Sequence, residues 1–302
     1  MPENDAGPLR VGVVGAGRVG AVLGAALAAR PDRYRVTAVA GESTASRARA
    51  QALLPGVPID KPTAVSRACD LLLLTVPDDM LPNVAAMLSA SGAIRPGQIV
   101  AHSSGKHGLD VLAPARERGA KVLAIHPGLT FTGTALDLDR LPGAVYGVTA
   151  GADTRALAGQ LVADLGGSAV DVPEDHRALY HAGLAHGANH LVTLVAQAME
   201  LLRASGVEDP AATLRPLLSA ALDNALVAGD AALTGPVVRG DVETVRAHLA
   251  EISMVAPATL DSYVALARAT ANRAVLDGRL LPIRAAKLIG VLNDALASAR
   301  VR

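Results

Sequence analysis

Apolar residues run through the first half of the chain in short unbroken blocks rather than in alternation with polar ones. Residues 10–14, 36–40, 71–76, 99–102, 122–126 and 145–149 are each rich in Val, Leu or Ile at consecutive positions. Strands covered on both faces, as in a parallel sheet, read this way. Alanine-rich stretches with helical spacing lie between them, at 19–29, 44–53, 80–89 and 108–118. One more helix–strand unit follows at 154–165 and 169–172. This alternation predicts an α/β fold with a doubly wound, mostly parallel sheet. After residue 172 the strand pattern stops. Helices are predicted at 174–205, 210–228, 242–252, 257–276 and 283–299, with Gly206, Gly229, Gly240 and Gly278 at the breaks. The expected organisation is an α/β domain over 1–172 and an all-helical domain over 173–302.

Composition narrows the class. A chain of 302 residues is longer than one compact core usually organises, and 51% hydrophobic with 19% charged residues excludes disorder. Lys and Arg total 28 against 28 Asp and Glu, so no net positive charge favours nucleic acid, and 2% aromatics give no stacking platform for single strands. One cysteine, Cys69, excludes a disulfide framework and fits a reducing compartment. The polar, acidic start of the chain does not read as a secretory leader, so a cytoplasmic location is expected. The uncharged run 180–199 is long enough to cross a bilayer, but His181, His186, Asn189, His190 and Gln197 argue for a buried or interface helix and against a membrane. An Ala- and Leu-rich helical array of this kind often covers a face with a second copy, so a homodimer through the helical domain is expected.

Gly15, Gly17 and Gly20 form a GxGxxG spacing directly after the first strand and at the start of the first helix. That context is the one a dinucleotide loop requires. Gly15 permits the tight turn, Gly17 the approach of a pyrophosphate, and Gly20 close helix–strand packing. The first helical residues, Arg18 and Val19, present free N–H groups to the phosphates. The second strand ends at Ala40 and Gly41, where an acid would select NAD; Ser43 and Arg47 beyond it suit the 2′-phosphate of NADP, while Glu42 argues the other way. The balance favours NADPH over NAD.

Ligands of such sheets sit outside the carboxyl ends of the strands. Three loops there carry chemistry. Val76 and Pro77 form a turn suited to pass a cofactor ribose; Ser103 and Ser104, followed by Gly105 and Lys106, offer donors for a carboxylate; and His126 offers an imidazole. On the helix after residue 172, His181, Ala185 and Asn189 fall on one i, i+4 row, with His186 and His190 on another. The second pair has zinc-like spacing, yet no nearby Glu or Cys completes a site, so no metal is expected. Between two later helices Thr234 and Arg239 offer a hydroxyl and a carboxylate clamp.

Taken together, Gly15–Gly20, Val76–Pro77–Asp78–Asp79, His102 to Gly105, His126–Pro127, Tyr180–His181 with Asn189, and Thr234 to Asp241 resemble a known family. The chain looks like the Rossmann-like proteins with a C-terminal helical domain of unknown function. These are related to the 6-phosphogluconate dehydrogenase, β-hydroxyacid dehydrogenase and pyrroline-5-carboxylate reductase group. Some members resemble an alternative type of ketopantoate reductase. The resemblance implies NADP(H) and hydride transfer to a small carboxylate substrate. It also implies a lysine one turn before the helix Asn, where this chain has Ala185. A reduced carbonyl oxygen still needs a proton. The candidates are His181, Lys106 and His126. His181 is preferred as the acid, with Asn189 orienting the substrate and Ser103 and Ser104 holding its carboxylate.

The leading expectation is reduction of ketopantoate to pantoate. The alternatives are a cyclic imine reductase of the pyrroline-5-carboxylate type, transfer between NADP and a deazaflavin, and a protein that binds NADP(H) without turnover.

Overall fold

The structure, a computed structural model, describes residues 7–300; the polar opening segment read above as no leader lies mostly outside the described residues. Strands β1 (Leu9–Val14), β2 (Tyr34–Ala40), β3 (Leu71–Leu74), β4 (Ile99–His102), β5 (Lys121–Pro127), β6 (Val145–Ala150) and β7 (Ser168–Asp171) form one sheet in the order β2-β1-β3-β4-β5-β6-β7. Every pairing is parallel except β5 with β6. The expected doubly wound, mostly parallel sheet is therefore the one the chain adopts. The unbroken apolar blocks have the physical reason proposed: all four leucines of β3 are buried, and two separate cores cover the faces of the sheet.

Helices α1 (Arg18–Ala28), α2 (Thr44–Leu53), α3 (Pro62–Arg67), α4 (Leu81–Ala90), α5 (Ala113–Glu117) and α6 (Arg155–Asp164) connect the strands. Two differ from expectation. Helix α3 has no counterpart in the sequence reading; a Cβ on Gly12 would lie 2.9 Å from Val65 Cγ1, so the bare glycine lets this short helix press onto β1. The stretch 108–118 is only a 3-10 turn, Asp110–Leu112, leading into α5, whose start is fixed by Pro114.

The long helix expected over 174–205 is broken. It becomes a 3-10 turn (Glu174–His176), α7 (Arg177–Leu184), a π turn (Ala185–Asn189) and α8 (His190–Ala204). Hydrogen bonds in a π turn run i→i+5, so the i, i+4 row expected from His181 through Ala185 to Asn189 is not maintained. Contacts divide the chain between Ala188 and Asn189 rather than at 172, because α7 is bonded to the sheet through Arg177 and Tyr180. The second unit is helical, as expected: α9 (Pro210–Ala228), α10 (Pro236–Arg239), α11 (Val242–Val255), α12 (Leu260–Leu276) and α13 (Pro282–Arg300). Its core gathers Val245, Leu249, Val264 and Leu288 from α11, α12 and α13.

One polar tie locks the Rossmann-type unit at its far end. The Asp164 carboxylate, at the end of α6, accepts from Tyr34 Oη at 2.5 Å, from Arg30 Nη1 at 2.8 Å and from Arg33. Asp164→Ala leaves the Tyr34 hydroxyl buried without this acceptor. It should lower the unfolding free energy by about 2–3 kcal/mol in urea denaturation, with little effect on m.

Candidate functional site

At the carboxyl end of β1 the chain turns through Gly15 at φ 102°, a conformation that favours glycine. A Cβ there would lie 2.6 Å from the Thr75 carbonyl carbon, and one on Gly20 would lie 2.2 Å from Thr75 Oγ1 and 2.3 Å from the Gly15 carbonyl oxygen. These two glycines are thus consumed by packing β1, α1 and the end of β3 together. Gly17 is different: it caps α1 with φ −75°, and a Cβ there would meet only the Gly15 carbonyl, at 3.9 Å. The first turn of α1 has no side-chain cap, so the amides of Arg18, Val19 and Gly20 are left without an intrahelical acceptor at the positive end of the helix. A cleft of about 300 Å³ lies against the loop, walled by Gly15, Gly17, Glu42, Ser43, Thr75, Val76 and Pro77.

The far wall differs in part from expectation. Ser43 lines the cleft but also caps α2, its Oγ accepting from the Ser46 amide at 3.1 Å. Arg47 donates from Nε to the Gly41 carbonyl at 3.1 Å and supports the turn, while Arg49, which the sequence reading passed over, lines the cleft. The signal that would have found Arg49 lies in a distant loop. Gly133, at φ 80°, leaves a Cβ position 2.7 Å from Arg49 Nε and 3.0 Å from Arg18 Cγ. That loop is fixed by the buried Asp137, whose carboxylate accepts from the Gly133 amide at 2.7 Å and from Thr132 Oγ1 at 3.0 Å.

The second half of the site forms at the ends of β4, β5 and β6, where α7 lies across them. Gly105 is the contact point: a Cβ there would be 2.5 Å from the His181 ring and 2.9 Å from His126 Nε2. The two imidazoles meet edge to face, with centroids 5.5 Å apart. His126 Nδ1 lies 3.3 Å from Tyr180 Oη, and the Tyr180 ring rests on Gly147. Beneath them Arg177 is fully buried, yet no carboxylate comes within ion-pair distance among the described residues. Its Nη1 donates to the Gly147 carbonyl and Thr149 Oγ1, both at 3.2 Å, and its Nη2 donates to the Ser104 carbonyl. Burial, with the positive neighbours His181 and Arg177, pushes His126 down to about 4, against a weaker pull from Asp78.

The other predicted residues fall into place unevenly. Ser103 is half-buried, while Ser104 is buried and its Oγ accepts from the His107 amide at 3.1 Å, so it shapes the turn that carries Gly105. His102, read only as part of the loop, is a structural imidazole: the Ser104 amide donates to Nδ1, Nε2 donates to the Gly108 carbonyl at 2.8 Å, and burial pushes its pKa to about 4. Lys106 is exposed. Asn189, Thr234 and Arg239 belong to the helical unit, where all three are exposed. Thr234 there borders a cavity of about 400 Å³ with Gln197, His248, Ser262 and Tyr263. Sequence reasoning missed Arg177 and the role of Tyr180, since a lone arginine at a helix start reads as a solvated charge.

Comparison with known proteins agrees with this architecture. Residues 3–127 match the model of a Rossmann-like domain, and residues 144–270 match a domain of unknown function, DUF2520. No curated protein matches the sequence. Among solved structures, a candidate NADP oxidoreductase from Bacteroides fragilis has a TM-score of 0.75 at 18% identity, covering 88% of this chain and 98% of its own. An imine reductase from Myxococcus stipitatus in complex with NADP+ has a TM-score of 0.62 at 15% identity, over 96% of this chain and 94% of its own. Pyrroline carboxylate reductase from Plasmodium falciparum with NADP bound has 0.55 at 11%, over 88% and 98%. At these identities the likeness is one of fold.

The different surroundings of two glycines make a direct test. Gly20→Ala drives a Cβ into backbone and should destabilise the protein by about 2–4 kcal/mol. Gly17→Ala has room and should change stability by less than about 1 kcal/mol, while weakening NADPH binding at least about tenfold in a fluorescence titration.

Proposed function

We propose that this chain, a Rossmann-like domain followed by a helical domain of unknown function, is an NADP(H)-dependent reductase of a small 2-oxo acid of the ketopantoate type. It works in the cytoplasm as a homodimer. The observation that carries this reading is the presence, along one edge of one sheet, of a phosphate cradle at the ends of β1 and β3 and a cluster of uncharged and cationic donors at the ends of β4 and β5.

The residues present fit the dinucleotide. The open face of Gly17 and the uncapped amides of Arg18, Val19 and Gly20 would hold the pyrophosphate; Val76 and Pro77 would bound a ribose. Arg49 and Ser43, with Arg18 nearby, would take the 2′-phosphate, and the NADP bound in the Plasmodium and Myxococcus structures supports that choice. When bound, NADPH supplies the hydride. His181, set against Gly105, delivers the proton that the carbonyl oxygen needs, since imidazole is the side chain that exchanges protons near neutral pH. The Ser103 hydroxyl and the Gly105 amide hold the substrate carboxylate, the Ser103 and Ser104 amides being committed to the Leu74 carbonyl and His102 Nδ1.

The chemistry of the cluster favours a ketone over an imine. A carbonyl oxygen gains negative charge as it is reduced, and donors above a buried guanidinium stabilise that charge. A protonated imine is a cation, and Arg177 would repel it. Cyclic imine reduction stays as a second reading because solved pyrroline carboxylate and imine reductases share the fold, and because Ala185 leaves no lysine acid on the helix.

The dimer rests on uncovered apolar helices. Helix α8 buries no residue and α9 buries only Pro210 and Leu214, while Leu226 is 77% and Val227 90% exposed. The run Pro210–Arg239 has the length and mean hydropathy, 1.2, of a membrane span. Arg215 and Asp223 on α9 would each cost about 2.5–3.5 kcal/mol at a bilayer centre, so a second copy is the better cover.

NADPH consumption should be seen with ketopantoate at a kcat/KM at least about tenfold above that with pyrroline-5-carboxylate or with NADH as donor. His181→Ala should lower kcat by about 10²–10³-fold; full turnover in that variant would remove the acid assignment. A protein that binds NADPH but turns over neither substrate would be a binding protein instead. Light scattering should give a dimer that Leu226→Asp converts to monomer, and a monomeric parent would refute the proposed interface.

A further inference from the structure

The His126 imidazole has two edges with different surroundings. Nδ1 faces Tyr180 Oη at 3.3 Å, and Nε2 faces Gly105 with no protein acceptor among the described residues. The direction of the first bond decides what the second edge offers, because the hydrogen bond at one ring nitrogen sets which nitrogen carries the proton. The phenol has no other hydrogen-bond partner among the described residues, so its proton is the one that reaches Nδ1. The Arg177 guanidinium, 5.9 Å from the Tyr180 ring centroid, strengthens that O–H as a donor. The same device operates one strand away, where the Ser104 amide donates to His102 Nδ1 and Nε2–H is donated onward.

Resting on the reductase reading above, we propose that Tyr180 is a positioning residue that holds His126 as the neutral Nε2–H tautomer, so that His126 donates a hydrogen bond to the substrate oxygen beside Gly105 without ever carrying charge. Every charged or titratable group facing the ring fits this role. From α7 come His181, Arg177 and Tyr180, of which the first two oppose protonation; from the end of β3 comes Asp78, which favours it weakly. Burial adds to the first set. A neutral donor does not compete with His181 for the transferred proton. The division of labour is therefore fixed by position: His181 gives up a proton, and His126 supplies only polarisation. No bond to His126 forms or breaks.

The assignment is read directly by nitrogen-15 NMR of protein labelled at histidine, with the His126 signal identified by its loss in His126→Gln. The expected spectrum shows an unprotonated Nδ1 and a protonated Nε2, unchanged from pH 5.5 to 8. Tyr180→Phe keeps the ring on Gly147 and removes only the donor; it should bring in the Nδ1–H tautomer and lower kcat about tenfold with little change in KM. His126→Gln, whose amide keeps an uncharged N–H, should retain at least about tenfold more activity than His126→Leu, which loses about 10²-fold. An imidazolium at pH 7, an Nδ1–H tautomer in the parent protein, or a tautomer indifferent to Tyr180→Phe would each overturn the proposal. The spectrum does not depend on turnover. An inactive protein with the expected tautomer would refute the reductase reading alone, whereas an active one with the wrong tautomer would refute this inference alone.

Discussion

Arg177 is the constraint on which the site depends. It opens α7, where the positive end of the helix disfavours a cation, and it is fully buried with no carboxylate within ion-pair distance among the described residues. What compensates is a set of oxygen acceptors: the carbonyls of Ser104 and Gly147 and the hydroxyl of Thr149. Those acceptors come from the β4 loop and from β6, so one side chain ties two parts of the sheet to α7. Glu174, one turn earlier, adds a second tie by accepting from the amides of Leu109 and Asp110. Together they hold His181 and Tyr180 over Gly105 and Gly147. A cation maintained at such cost, in a cluster of neutral donors, is what a centre that meets developing negative charge requires.

The fold was legible because its signals are local. The consecutive leucines of β3 announce a strand buried on both faces, and the glycine spacing after β1 announces its own turn and helix. Where local signals fail, a distant contact decides. Helix α3 exists because Gly12 leaves it room, and the π turn at Ala185–Asn189 interrupts a stretch whose composition reads as continuous helix. The division after Ala188 likewise follows from bonds between α7 and the sheet, which no composition shift marks.

The site was legible by half. Sequence alone picks out residues whose type announces chemistry at a strand end: Gly17, Ser103, His126 and His181. It does not pick out residues whose role is set by what reaches them across the fold. Arg49 is drawn into the cleft wall by the Gly133 loop, and Arg47, two positions earlier and about 200° round the helix, is turned to the Gly41 carbonyl. Ser104, expected at the substrate carboxylate, also shapes the turn through His107. His102, at the end of β4, has both ring nitrogens bonded inside the loop.

The central claim is that the glycine cradle and the imidazole cluster form one reductive centre. The most direct measurement follows a single hydrogen. The protein is incubated with NADPH carrying deuterium at the transferable nicotinamide position and a mixture of 2-oxo acids and cyclic imino acids, and the products are read by mass spectrometry. The account predicts a 2-hydroxy acid with one deuterium on the carbon next to its carboxylate. A protein that binds the labelled cofactor yet passes its deuterium to no acid in the mixture would contradict it.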